Sequence, residues 1–215
     1  MIDLAQQISS VRRQVGSRVL EAGEARVVTI GQTYATDADD LWDAVTNAER
    51  LPRWFLPVTG ELRLGGRYQL EGNAGGTIER CDPPKGFFAT WEYAGTISWI
   101  DVRIVPESDD KARLEFDHIA HVNDHWHEFG PGATGVGWDL ALWGLGIHID
   151  GAPAMSQEEV TAWYGTDEGR LFMTSSSERW YEANVVGGED ESVARAMADR
   201  TTAAYTAPPE PSPGS

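Results

Sequence analysis

The chain has 215 residues, 41% hydrophobic and 24% charged, enough for one buried core with an elaboration. It sets 34 acidic against 17 basic side chains, and a formal charge of -17 repels phosphate backbones and anionic lipid, so nucleic-acid and peripheral membrane roles are excluded as leading functions. Cys81 stands alone and cannot form an internal disulfide, residues 1–7 lack the basic and apolar blocks of a signal peptide, and no stretch reaches the ~20 apolar residues of a membrane span. A cytoplasmic protein without membrane insertion is expected.

Residues 3–22 place Leu4, Ile8, Val11, Val15 and Val19 three or four apart, which predicts an amphipathic helical leader over 1–23, stopped at Gly23. From Glu24 the period changes to two, with Val28, Ile30, Gln32 and Tyr34 on one strand face. Thr36-Asp37 offers an N-cap to a helix that carries Ala38, Leu41, Trp42 and Val45 on one side, and a second short helix is expected over 48–55. Turn signals at Gly65-Gly66, Gly75-Gly76, 83–86 and 108–110 then separate strands near 60–64, 66–71, 76–82, 87–94, 98–106 and 111–122. Their hairpin-length loops make the sheet antiparallel. In the last two strands Ile100, Val102 and Ile104 face away from Asp101 and Arg103, and Leu114, Phe116, His118 and Ala120 face away from Glu115 and Asp117.

A long helix is predicted from Pro131 to Ile149, with almost no polar face, so it is buried on most sides. Gly137, Ala141 and Gly144 form one stripe on it, which implies either close backbone contact or empty space beneath. Three acidic helices, over 157–164, 166–186 and 189–205, make an extension spanning 152–206, and the Pro/Ser-rich residues 207–215 read as a disordered tail.

His118, His121, His125 and His127 lie close together among Asp117, Asp124 and Glu128, but His118 and His121 point to opposite faces of one strand and the other two fall in an expected loop, so no metal is expected. Gly130 to Gly135 matches GxGxxG at a helix start, yet the antiparallel sheet supplies no parallel strand after it, so no dinucleotide and no other cofactor is expected. Cys81 lacks a committed histidine partner and reads as inert. Nine tryptophans are the other unusual feature, because large rings lining a concave apolar space are what small-molecule pockets use. Tyr68, Trp91, Trp138 and Leu142 are the expected cavity walls, Trp54 and Phe55 its mouth, and His118 an inward polar group able to orient a ligand.

The order strand, two helices, six strands and long helix is a helix-grip arrangement, an α+β fold with a curved antiparallel sheet of about seven strands around one helix. The segments TYATDADDLWDAVTNAERLPRWFLPVTGELRLGGRYQLEG, GTIERCDPPKGFFATWEY and SWIDVRIVP resemble the SRPBCC (START-like) superfamily, within it the branch named after the activator of the heat-shock-protein-90 ATPase. FGPGATGVGWDLAL, ERWYEAN and ARAMADRTTAAYT resemble bacterial members with a helical extension. The resemblance covers 24–205 and implies a domain over 24–151 that binds a small hydrophobic or amphipathic molecule. Two other readings stand beside it: a cyclase or dehydratase using His118, Glu92 or Asp101 in the same cavity, and a co-chaperone-like or other interaction module working through the extension. Leader and extension pack on the domain itself or, in a homodimer, on a second copy.

Overall fold

A computed structural model describes residues 4–153 and 155–207. In chain order these form α1 (Leu4–Ser10), β1 (Arg12–Leu20), β2 (Gly23–Tyr34), α2 (Ala38–Thr46), a 3-10 turn (Leu51–Arg53), β3 (Val58–Gly60), β4 (Arg67–Leu70), β5 (Gly75–Asp82), β6 (Gly86–Tyr93), β7 (Thr96–Ser108) and β8 (Lys111–His121). The helices α3 (Asp124–Phe129), α4 (Gly132–Ile149), α5 (Gln157–Tyr164), α6 (Asp167–Val186) and α7 (Glu191–Thr206) follow. The strands make one antiparallel sheet in the order β1-β2-β8-β7-β6-β5-β4-β3. This is the α+β helix-grip fold with a helical extension. Most of the expected tail lies outside the described residues.

Four elements depart from the sequence reading, one of them the strand expected near 60–64, which is β3 over Val58–Gly60 instead. The leader is helical only over α1; residues 12–20 form an eighth strand, paired with β2 in the register Val15↔Val28. A spacing of four is even, so Val11, Val15 and Val19 share a face in a strand as well as in a helix, and β-branched residues around Gly16 favour the strand once β2 offers an edge. The second short helix shrinks to the single 3-10 turn. Residues 124–129, expected as a loop, form α3, because the Asn123 side chain accepts a hydrogen bond from the Trp126 N–H at 2.9 Å and caps it.

The inward face of the sheet carries Val28 and Ile30 of β2, Ile100, Val102 and Ile104 of β7, and Leu114 and Phe116 of β8, all buried. The outer face is polar: Arg103 lies between Asp101, Glu115 and Asp117, 2.9 Å from the last. This alternation is that of an antiparallel sheet with one face on a core. Helix α4 packs on the inner face through Val136, Leu142 and Leu145.

A buried polar knot joins α4 to β1 and α6. Asp139, 1% exposed, takes two hydrogen bonds from Arg13 of β1 (Nη2 at 2.7 Å and Nε at 3.0 Å). It also accepts from the Ser176 hydroxyl and from the Trp180 indole N–H at 2.9 Å, both on α6. Arg13 in turn donates to the carbonyls of Ile8 and Val11, closing the end of α1. Burial pushes the Asp139 carboxyl above the ordinary carboxylate range, while Arg13 and the other donors pull it back.

The glycine-rich start of α4 also serves the extension. A side chain at Gly132 would meet Thr201 of α7, and one at Gly135 would overlap the Trp180 indole. Alanine at position 135 gains about 1 kcal/mol of helix propensity. Forcing a methyl against a ring that is 1% exposed costs more, roughly 1–3 kcal/mol. Gly135→Ala is therefore expected to lower the thermal midpoint, which a calorimetric scan reads directly; an unchanged or raised midpoint would show that α6 shifts freely.

Candidate functional site

A cavity of about 320 Å³ lies between the sheet and α4. Its floor is Ile30, Ile100, Val102, Leu114 and Phe116, and its roof is Trp138, Ala141 and Leu142. Trp42, Val45 and Thr46 of α2 and the strap Leu51, Trp54 and Phe55 close one side. Val58, Tyr68 and Leu70 of β3 and β4, with Ile78, Cys81, Phe87 and Trp91 of β5 and β6, close the other. Leu62 and Pro83, the exposed members of this wall, mark the opening.

Local sequence explains how the strap is held. Arg50, just before the 3-10 turn, donates to Asp40 at 2.7 Å, to Asp43 at 3.0 Å and to His148 Nε2 of α4 at 3.1 Å. The hydrogen bond from Arg50 holds the Asp40 carboxyl below its usual range, and burial, then Arg50 and Arg53, depress His148. Gly144 lets the strap lie on α4, since a Cβ there would sit 2.6 Å from the Trp54 carbonyl oxygen. The small-residue stripe thus does both things its composition allowed: Gly144 permits a close approach and Ala141 leaves space.

Three polar groups of the wall are bonded to backbone carbonyls. The Trp54 indole donates to the Ala44 carbonyl at 2.9 Å, the Thr46 hydroxyl to the Trp42 carbonyl at 2.7 Å and the Tyr68 hydroxyl to the Thr90 carbonyl at 2.7 Å. Burial, aided by Glu92, raises the Tyr68 phenol further above its normal value, so it stays a donor. Among the described residues no Asp, Glu, His, Lys or Arg lines the space. Aromatic rings make much of the surface: Trp54 stacks on Phe55 with centroids 5.5 Å apart, Phe55 on Trp138 at 6.0 Å, and Trp138 meets Trp91 at 5.1 Å and Phe116 at 4.1 Å.

Of the seven residues singled out from sequence, Trp54, Phe55, Tyr68, Trp91, Trp138 and Leu142 line this cavity, and His118 does not. His118 sits behind Trp138, 6% exposed, with both ring nitrogens used inside the protein. Its Nδ1 accepts from the Trp138 indole N–H at 3.0 Å, and its Nε2 lies 2.9 Å from the Ser98 hydroxyl oxygen. The indole can only donate, so Nδ1 is bare and Nε2 carries the proton. Ser98 passes its own proton on to the Trp91 carbonyl at 3.1 Å. Burial pushes the His118 pKa down to about 4.

Glu92 and Asp101 are on the outer face, paired with Arg67 at 3.0 Å and Arg80 at 2.7 Å. Cys81 contributes to the wall. The other histidines diverge: His121 packs on Trp99 and His125 on Phe129. Among the described residues no three His, Cys, Asp or Glu side chains are grouped to hold a metal. Trp42, Phe87 and Phe116 line the cavity without having been singled out. Phe87 and Phe116 are in phase with Trp91 and His118, a period-two signal that was available in the sequence.

An antiparallel sheet and one long helix enclosing an apolar space define a helix-grip protein of the SRPBCC type. Residues 35–147 match the family described as Activator of Hsp90 ATPase homolog 1-like protein, and the chain belongs to that family. Its fold is similar to the crystal structure of CalU16 from Micromonospora echinospora, at 34% identity and a TM-score of 0.65, over 81% of this chain and 98% of that one. The solution structure of CalU16 gives 32% identity and a TM-score of 0.69, over 83% and 97%. DynU16, a protein of the dynemicin biosynthetic locus, shares the fold at 14% identity and a TM-score of 0.54, over 60% of this chain and 49% of that one. Comparison with curated proteins found no match. Among the described residues no helix is long and apolar enough to cross a membrane.

Proposed function

We propose that this chain is a binding module for a small hydrophobic or amphipathic molecule, held between the sheet and α4 without a cofactor. The observation that carries the reading is the cavity of about 320 Å³ whose wall is largely aromatic and aliphatic, with the Trp54 indole and the Tyr68 hydroxyl bonded to backbone carbonyls. That volume falls at the lower end of the ~300–1,000 Å³ of small-molecule sites. Trp54, Phe55, Tyr68, Trp91, Trp138 and Leu142 are the ligand contacts in this reading. Residues 24–151 are the binding domain, and the segments before and after it are braces fastened through Asp139. A cytoplasmic location accords with the acidic surface and the lone cysteine. A cyclase or dehydratase role is disfavoured because, among the described residues, the wall offers no carboxylate or imidazole as a general base. An interaction module with a filled grip is disfavoured by the space itself.

Native mass spectrometry of gently purified protein, followed by denaturing extraction, tests the proposal. A stoichiometric apolar adduct is expected, and Ala141→Phe, which fills the roof of the cavity, is expected to lose it while remaining folded. A bare mass after exposure to a lipid and polyketide extract, for both proteins, would overturn the reading and favour protein interaction through α5–α7.

A further inference from the structure

The polar thread behind the cavity joins four elements in one direction. It runs from the Trp138 indole N–H on α4 to His118 Nδ1 on β8, from Nε2–H to the Ser98 hydroxyl on β7, and from that hydroxyl to the Trp91 carbonyl on β6. Its two ends are tryptophans whose rings both line the cavity and meet at 5.1 Å. Each link has a fixed donor and a fixed acceptor, because an indole has no lone pair to offer and a carbonyl has no proton. A thread of this kind cannot be reversed or slipped by one atom without leaving a buried group unpaired. The other rings packed on Trp138 are those of Phe55, Phe116 and Trp91, and apolar packing is non-directional, so they alone would tolerate more than one rotamer of Trp138.

We infer that His118 is the positioning residue of the cavity: by accepting the Trp138 indole proton and anchoring through Ser98 to the Trp91 backbone, it fixes the ring that forms the roof and so fixes which molecular shapes the cavity admits. The inference rests on the binding reading above. His118 touches no ligand in it. The same bond turns the indole N–H away from the cavity, so the roof presents only ring carbon to whatever enters, which selects an apolar molecular surface at that end.

The test uses the full chain and the neutral fluorescent dye phenylnaphthylamine, with exchange protection of the Trp138 indole proton followed by NMR on the same samples. Wild type is expected to bind the dye and Ala141→Phe to exclude it. His118→Leu keeps the volume but removes the acceptor. It is expected to weaken the dye about tenfold, the scale of one broken buried hydrogen bond, and to expose the indole proton to exchange. His118→Asn places an oxygen near the lost Nδ1 and is expected to rescue both readouts, which a merely space-filling role would not require. Unchanged affinity and protection in His118→Leu would overturn the inference, as would weaker binding with the indole proton still protected. Should His118→Leu not fold, Ser98→Ala cuts the thread at its far end and carries the same two expectations. If wild type fails to bind the dye, or Ala141→Phe binds it equally, the binding reading fails. Indole protection in the His118 and Ser98 variants then decides the positioning role by itself.

Discussion

Asp139→Ala is expected to destabilise the protein by about 3–5 kcal/mol, the range for removing one partner of a buried ion pair. The Arg13 side chain is 4% exposed and would keep its charge in the core with no counter-ion. The Ser176 hydroxyl and the Trp180 indole would lose their acceptor at the same time. Against a total stability of roughly 5–15 kcal/mol, this loss frees β1 and α6 from α4 or unfolds the chain outright. Asp139→Asn keeps one acceptor oxygen and removes the charge, so it should fall between wild type and alanine. The double variant Arg13→Met/Asp139→Leu removes both charges and is expected to recover part of the loss, though Ser176 and Trp180 still lack a partner. Urea denaturation midpoints check the series; a cost under about 1 kcal/mol for Asp139→Ala would mean that Arg13 reaches water and the knot is not a brace.

Stability is also expected to fall steeply with acid because of His118. In the folded protein its pKa is pushed down to about 4 by burial, against 6.5 for an ordinary histidine. Between these values the unfolded chain binds a proton that the folded one refuses, so unfolding is favoured as pH drops through that window. At 1.36 kcal/mol per unit the loss approaches about 3 kcal/mol by the lower end, and it is absent above the ordinary value. Protonation would also put a second N–H at Nδ1, facing the Trp138 indole donor, so the folded state has no arrangement that accepts the charge. His118→Asn has no titratable ring, and the difference between its acid profile and that of wild type isolates this histidine from carboxylates such as Asp40 and Asp43, which lose their Arg50 partnership at lower pH. Parallel profiles for the two proteins would show that His118 charges in place.

The periodicities were sufficient for much of the architecture. Strict alternation in Ile100–Ile104 and Leu114–His118 placed both strands and their inward faces, because one-sided burial of a sheet writes a period of two into the chain. The apolar run 138–149 marked a helix buried on most sides. Tyr68, Trp91 and Trp138 could be picked for the wall because each is a large ring in phase with a buried face. Residues 12–20 carry a helical spacing yet form a strand because valines four apart satisfy both periods, and only the free edge of β2 selects between them.

The sequence by itself determined the fold class, the sheet and its long helix, and an aromatic-rich interior, since these follow from local propensity and the spacing of apolar residues. Only the tertiary structure decided what the polar groups do. Arg13 and Asp139 meet across 126 positions, and His118 reaches Ser98 and Trp138 from opposite directions along the chain. Such partners are chosen by geometry after the core has closed, because hydrogen bonds and ion pairs depend on distance and direction while hydrophobic burial depends on neither. The same closure left a space that Ala141 does not fill and tied the polar tips of Thr46, Trp54 and Tyr68 to backbone carbonyls, which no spacing of residues records.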